Sequence, residues 1–346
     1  MTVEPDLTTP KPLSSDVELA STGSTFARQI IARPELAVIA FTILFVLFVA
    51  TQGTSFFTPL NLANLFRDWS FLAIVASFTA IVFVAGGLDL SVGSTLMAGA
   101  MSSAAVAASG AGTPAAIAAG LVTGAFIGLI NGLLINLASL PPIIVTLGTL
   151  FIVRSLVTTI SEGKPVSPLP DDFVVIGQSS LWGIPVVVLA ALIVCAIAFV
   201  ILHLMIFGWN VRAIGGNRDA ARNAGIKVIR TSVIVYVLSG TAAAFAGTLL
   251  AARLGAGSTT LGNGYELQAI AATVIGGISI FGAVGSIPGA MLGALLLTIL
   301  ANGLVLLKVP PTLQQLAIGA VLIIAAVLDQ VRRQNMFRAS VKRVPR

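Results

Sequence analysis

The sequence predicts an all-α polytopic membrane protein with about ten transmembrane helices. Three observations carry that prediction. Charged residues make up 9% of the 346 residues and hydrophobic residues 57%, whereas a soluble domain is about one-quarter charged. Apolar runs of the roughly 20 residues needed to cross a bilayer recur along the whole length. Lys and Arg concentrate in alternate connections, as orientation by positive cytoplasmic loops requires.

Residues 1–34 are polar, contain Pro and Ser, and have no apolar h-region near the start. They read as a disordered cytoplasmic tail rather than a cleavable signal peptide. The membrane domain then runs over 35–330, with spans expected at 35–51, 69–86, 91–109, 114–137, 142–160, 182–207, 231–252, 266–283, 287–306 and 311–329. Only a Gly-Asp stretch parts the second from the third, and only GAVGSIPG parts the eighth from the ninth. Either could be a re-entrant or broken helix. A basic cytoplasmic tail, 331–346, follows.

An even span count puts both termini on one side. Fourteen of the 19 Lys and Arg then fall there: three in the N-terminal tail, five in the 208–230 loop and six in the C-terminal tail. Arg67, Lys164, Arg253 and Lys308 fall outside. The sequence therefore predicts a multi-pass membrane protein with both termini cytoplasmic. The basic balance reflects orientation in the lipid bilayer, so no nucleic-acid partner is expected. Arg154 falls within a span near its outer end and is expected to snorkel to the interface; a buried pair or a pathway role is the alternative. One cysteine, Cys195, excludes an intrachain disulfide, and one histidine, His203, leaves little room for a metal site. The outer segment 161–181, with Glu162, Asp171 and Asp172, reads as a solvated loop or as a docking surface for an external partner.

Within VAGGLDLSVGS (Val84–Ser94), Gly86 and Gly87 break the helical pattern beside one acid, Asp89. Glycine can end one helix in the left-handed conformation. Asp89 or Ser91 can then cap the next, and a carboxylate there suits the helix dipole. Alternatively, an intramembrane acid beside a broken helix marks an ion site, as in secondary transporters. Counting from Trp69 puts the turn near the cytoplasmic end, which argues against a midplane ion site. Val274–Ser286 (VIGGISIFGAVGS) shares the Gly-Gly, a Ser and the Gly-Ser, so Gly276 and Gly277 form a second break. Each stretch leads into a small-residue helix ending in Asn-Gly, at Asn131 and Asn302, which hints at an internal repeat. Gly120, Gly124 and Gly128, like Gly289 and Gly293, recur every four residues and are expected to let helices pack closely.

The internal loop Gly208–Arg230 contains RDAARN, a run of helix formers. Asn217 is placed to cap it and Gly225 to terminate it, which predicts a short rigid helix at the membrane surface. A rigid peg can transmit force from a soluble partner; the alternative is a basic connector held at the inner leaflet.

AIGGNRDAARNAGI (Ala213–Ile226), GGLDLSVGS (Gly86–Ser94), PPIIVTLGTLFIVRSL (Pro141–Leu156), YELQAIAATVIGGISIFGAVGSIPGAMLGALL (Tyr265–Leu296) and ANGLVLL (Ala301–Leu307) occur in this order. Together they resemble the permease subunits of ATP-binding-cassette importers for ribose and related monosaccharides, over residues 35–330. The resemblance implies a type II ABC-importer-like permease that moves a sugar or sugar-like solute and catalyses no chemistry. Branched-chain amino-acid or nucleoside permeases of the same superfamily are the alternative. There are departures: Phe78–Ala80 stand where the family often has Gly-Met-Thr, Ile278 where it usually has Thr, and Ala283–Val284 where it often has Gly-Arg. Around Leu313 the family commonly has an aromatic pair.

The resemblance implies several partners: a second permease, identical or homologous; cytoplasmic ATPase subunits; and a periplasmic solute-binding protein. ATPase coupling is expected at Gly216, Asn217, Arg218, Ala220, Ala221, Arg222, Gly225 and Ile226. No G-x-x-x-x-G-K-[ST] occurs in the chain, so no cofactor is expected here, and ATP and Mg would be bound by the partner ATPase. The expected pathway or gate residues are Asp89, Ser91, Ser94, Asn131, Thr146, Ser279 and Asn302. The two asparagines serve equally well for bonds between helices. An ion-coupled secondary transporter, with Asp89 or Arg154 as its buried charge, is the remaining alternative.

Overall fold

In a computed structural model the described residues are 34–310 apart from 54, together with 313, 316, 319, 320 and 323. Apart from those last five residues of the expected tenth span and Pro34 of the expected tails, that span and both tails lie outside the described residues. The chain is built from α1 (Pro34–Thr51), α2 (Pro59–Val84), α3 (Val92–Ala108), α4 (Thr113–Leu137) and α5 (Pro142–Ile160). After a short helix, α6 (Asp171–Gln178), and a two-stranded hairpin, β1 (Ser180–Leu181) with β2 (Ile184–Pro185), comes α7 (Val186–Phe199). Then follow α8 (Ile206–Gly216), α9 (Arg218–Asn223), α10 (Val228–Leu254), α11 (Tyr265–Ile275) and α12 (Ile287–Leu306).

Among the described residues, six helices are long and apolar enough to cross a membrane: α2, α4, α5, α7 with its continuation to Leu204, α10 and α12. Proline at N1 or N2 opens α2, α4, α5 and α12, where its missing N–H costs no helical bond. Every residue of α2 from Trp69 to Val84 is buried. A helix apolar all round must be enclosed, and α7, α8, α10, α11 and α12 enclose this one. α4 and α5 instead expose large apolar side chains, including Val122, Phe126, Phe151 and Ile152, as a lipid-facing surface does.

α10 is the second pillar. Gly120, Gly124 and Gly128 on α4 lie against Thr248, Gly240 and Tyr236. Gly289 and Gly293 of α12 lie likewise against Gly276 and Ala272. Small residues let backbones approach, so dispersion contacts hold the helices where no hydrophobic drive exists.

Four boundaries differ from the sequence reading. α2 starts ten residues early, at Pro59, because Thr58 caps it through Asn61 N and Pro59 follows at N1. The run expected over 182–207 leaves α-geometry in a π turn, Val200–Leu204, after which α8 turns away. The run expected over 266–283 is helical only to Ile275, because Gly277 takes φ +80°. The 161–181 segment is no mere solvated loop: Phe173 of α6 is buried, and Gly177 touches the backbone of Arg253. Arg253 also pairs with Asp68, and Gln178 donates to its carbonyl.

Candidate functional site

Both glycine breaks have one construction. After α2, Gly86 N donates to Phe83 O (2.8 Å) and Gly87 N to Val82 O (2.9 Å), with Gly86 at φ +74°. After α11, Gly277 N donates to Val274 O (3.0 Å) and Ile278 N to Thr273 O (3.0 Å). Each is a Schellman motif, which needs a left-handed C′ residue that glycine supplies without strain. The structural equivalent of Gly86 is therefore Gly277, not Gly276. Gly276 instead sits where a side chain would collide with Gly289.

The chain then turns back into the bundle. Asp89 is buried, and its Oδ1 accepts from Ser91 N (3.0 Å) and Ser91 Oγ (2.6 Å). Its Oδ2 accepts from Ser239 Oγ of α10 (2.9 Å). Asn131 Nδ2 donates to Ser91 Oγ (2.9 Å), and Thr149 Oγ1 donates to Asn131 Oδ1 (2.6 Å). One polar chain thus links α3, α4, α5 and α10. Ser91 is the N-cap of α3 but makes no side-chain cap bond; Asp89 serves the Ser91 N–H from two residues upstream. Ser239 lies about 16 Å into α10, and Thr149 about 10 Å into α5, at about 1.5 Å per residue. The break begins at the end of α2, but Asp89 lies well inside the bundle.

The remaining expected pathway residues do not join this chain. Ser94 Oγ donates to Ser91 O, and Thr146 Oγ1 to Pro142 O in its own helix. Ser279 Oγ accepts from Phe281 N within the second turn. Asn302 exchanges two amide bonds with Asn61 of α2, at 3.1 and 2.9 Å. Arg154 was expected to snorkel. Its Nε and Nη2 are buried without a hydrogen-bond partner among the described residues.

Glu266 was missed by the sequence reading. From Leu254 the chain runs back along α3: Gly257 touches Ala104, and Gly262 touches Gly93. This brings Glu266, in the first turn of α11, against Gly93 in the first turn of α3. Two helix N-termini thus meet inside the bundle, each with a carboxylate beside it, the sign their dipoles favour. Glu266 Oε2 is buried and has no hydrogen-bond partner among the described residues. A polar run such as GAGSTTLGNG reads as an external loop, and nothing in its spacing signals this descent.

α8 lies across both breaks and leads into α9. Asn217 caps α9, its Oδ1 accepting from Asp219 N (3.1 Å) and Ala220 N (2.9 Å). Gly225, at φ +82°, ends it in a third Schellman motif, through Arg222 O and Ala221 O. Ala221 is buried with Ile214 and Val228. Gly215 is wedged between Val84 O on the first break and Gly282–Ala283 on the second. Ala283 N donates to Val84 O (2.9 Å), which joins the two breaks directly. Arg212 donates to Ala283 O (3.4 Å) and Gly285 O (3.1 Å). Partial burial pulls its pKa down, but from a value so high that it stays cationic. Arg218 donates to Asn136 Oδ1 (2.6 Å) at the end of α4.

Ala283 holds φ +63°, a left-handed conformation that costs a side-chain-bearing residue about 1–2 kcal/mol. Ala283→Gly is expected to raise stability by up to about 1 kcal/mol, once the backbone entropy of glycine is offset. A thermal melt of the purified protein checks this.

Residues 61–326 match the protein family described as branched-chain amino acid transport system / permease component. The chain is 41% identical over 290 residues to the ribose import permease of Bacillus subtilis (strain 168), covering 82% of this chain and 89% of that protein. It is 35% identical over 297 residues to the L-arabinose transport system permease of Escherichia coli (strain K12), covering 86% and 90%. The D-allose transport system permease of the same strain is 35% identical over 290 residues, covering 84% and 89%. No solved structure matches the chain.

Proposed function

The chain belongs to the permease-component family that residues 61–326 match, and from that premise we propose that it is the membrane-spanning permease subunit of an ABC-type sugar importer. It moves a sugar or sugar-like polar solute and carries out no chemistry itself. ATP and Mg bind to separate cytoplasmic ATPase subunits, and a periplasmic binding protein delivers the solute. Two copies, or one copy and a homologous permease, form the pathway in the inner membrane, with both termini cytoplasmic.

The observation that carries the coupling is the position of Gly215 between both glycine breaks. A displacement of α9 reaches Gly215 through the rigid Ala213–Ile226 unit. From there it reaches both breaks at once, and through Asp89–Ser239 the middle of α10. The pathway side of the unit is the meeting of α3 and α11, with Asp89, Ser91 and Glu266 as its polar groups. A half-buried carboxylate inside a membrane domain belongs beside a water-filled route.

Reconstitution into vesicles with and without the ATPase tests the proposal. Uptake is expected only with both ATPase and ATP; uptake driven by an ion gradient alone would overturn it. A second expectation concerns Gly225. Proline cannot take φ +82° and removes the N–H that donates to Arg222 O. Gly225→Pro is expected to leave insertion intact while ATP hydrolysis no longer drives uptake. Normal coupled transport would show that α9 needs no rigid stop.

A further inference from the structure

A cleft of about 750 Å³ opens where the ends of α4 and α10 meet the α9 turn. Its wall is apolar: Leu133 of α4 with Val233 and Ile234 of α10. Its rim is basic: Arg222 from the last turn of α9, Lys227, and Arg230 in the first turn of α10. Among the described residues no carboxylate lines it, and neither ion pair involves these three cations. Leu133 and Ile234 are exposed.

We infer that this cleft binds an anionic phospholipid of the inner leaflet, its phosphoryl group on the Arg222–Lys227–Arg230 rim and an acyl chain along Leu133, Val233 and Ile234. The inference rests on the membrane orientation proposed above. The two chemistries stand in the order a lipid needs. Lys227 and Ile234 are separated by about 10 Å along the helix, at about 1.5 Å per residue, so the cations sit at headgroup depth when the wall lies among acyl chains. A neutral lipid would leave three cations uncompensated, and a free anion would leave the apolar wall unused. Basic pockets between helices on the cytoplasmic side suit anionic headgroups. Bound there, the lipid would brace the turn that joins α9 to α10.

The test uses the full-length permease purified in neutral detergent, without ATPase, so that it does not depend on what powers transport. Lipid retention is read by native mass spectrometry and by melting temperature, with phosphatidylglycerol, phosphatidylcholine or glycerol phosphate added. Phosphatidylglycerol is expected to be retained and to stabilise, and the other two are not. Each basic residue near an anionic surface is worth about a fivefold factor in affinity. Lys227→Gln with Arg230→Gln should therefore weaken phosphatidylglycerol binding about 25-fold, while the protein melts normally in phosphatidylcholine. Lys227→Arg with Arg230→Lys keeps the charge and should keep the binding. Equal effects of the two lipids, or an equal effect of glycerol phosphate, would overturn the inference. So would a double-Gln variant that binds phosphatidylglycerol normally but no longer holds the ATPase; the rim would then be a protein-docking surface.

Discussion

Replacing Gly215 with alanine or valine is expected to reduce ATP-driven uptake about fivefold or more while the protein still inserts. A Cβ there would overlap Val84 O outright and lie 2.8 Å from Ala283 N. Both are backbone atoms of turns fixed by their own hydrogen bonds, so neither can swing aside as a flexible side chain would. Overpacking of this kind costs about 1–3 kcal/mol, about fivefold to 140-fold at 1.4 kcal/mol per decade. The strain falls on the joint between α8 and the two breaks. Gly216 is the control: a Cβ on it meets only Ala283 Cβ, at 3.7 Å, an ordinary contact. Gly216→Ala should transport nearly as the native protein does. Uptake by the Gly215 variant equal to that of the Gly216 variant would sink the wedge and leave α8 a passive connector.

The contrast between these neighbouring glycines marks the limit of what a sequence displays. Gly-Gly pairs announce a break, because a left-handed C′ position selects glycine and a Schellman turn follows. Which glycine does the turning is a matter of φ, so matching the two pairs by letter aligned Gly86 with Gly276 where conformation aligns it with Gly277. Helix ends set by caps and prolines were legible: Asn217, Gly225 and the starts of α5 and α12 fall as their residue types require. Depth was not legible. Hydropathy counts residues, whereas the chain re-enters the bundle after Gly87 without helical structure and carries Asp89 to a buried position. The same blindness hid Glu266, whose descent depends on Gly257 and Gly262 meeting the backbone of α3 closely. Arg212 was hidden for another reason. A cation in a basic connection between spans already has an explanation in topology, and its bonds to the second break add nothing that composition can register.

Asp89→Asn is expected to transport within a few-fold of the native protein, while Asp89→Ala is expected to lose about 2–4 kcal/mol of stability and most uptake. Asparagine keeps one oxygen to accept from Ser91 N and Ser91 Oγ, the two donors that now share Oδ1. Its amide faces Ser239, whose hydroxyl can turn to accept instead. Alanine leaves three buried donors without an acceptor, at about 1–3 kcal/mol for each that cannot find another. It also cuts the link between α3 and α10. The Asn131 bond to Ser91 Oγ and the Thr149 bond to Asn131 would then hold α4 and α5 to a loosened turn. The pair of variants separates two roles for the one acid in the first break. A carboxylate that carries a proton or binds a cation fails as asparagine, because the amide can neither titrate nor supply charge. A carboxylate that organises hydroxyls and a backbone N–H survives as asparagine and fails only as alanine. Uptake and melting temperature measured on both variants decide it. Loss of uptake in Asp89→Asn with an unchanged melting temperature would return Asp89 to ion coupling, and with it the whole chain to a different source of energy.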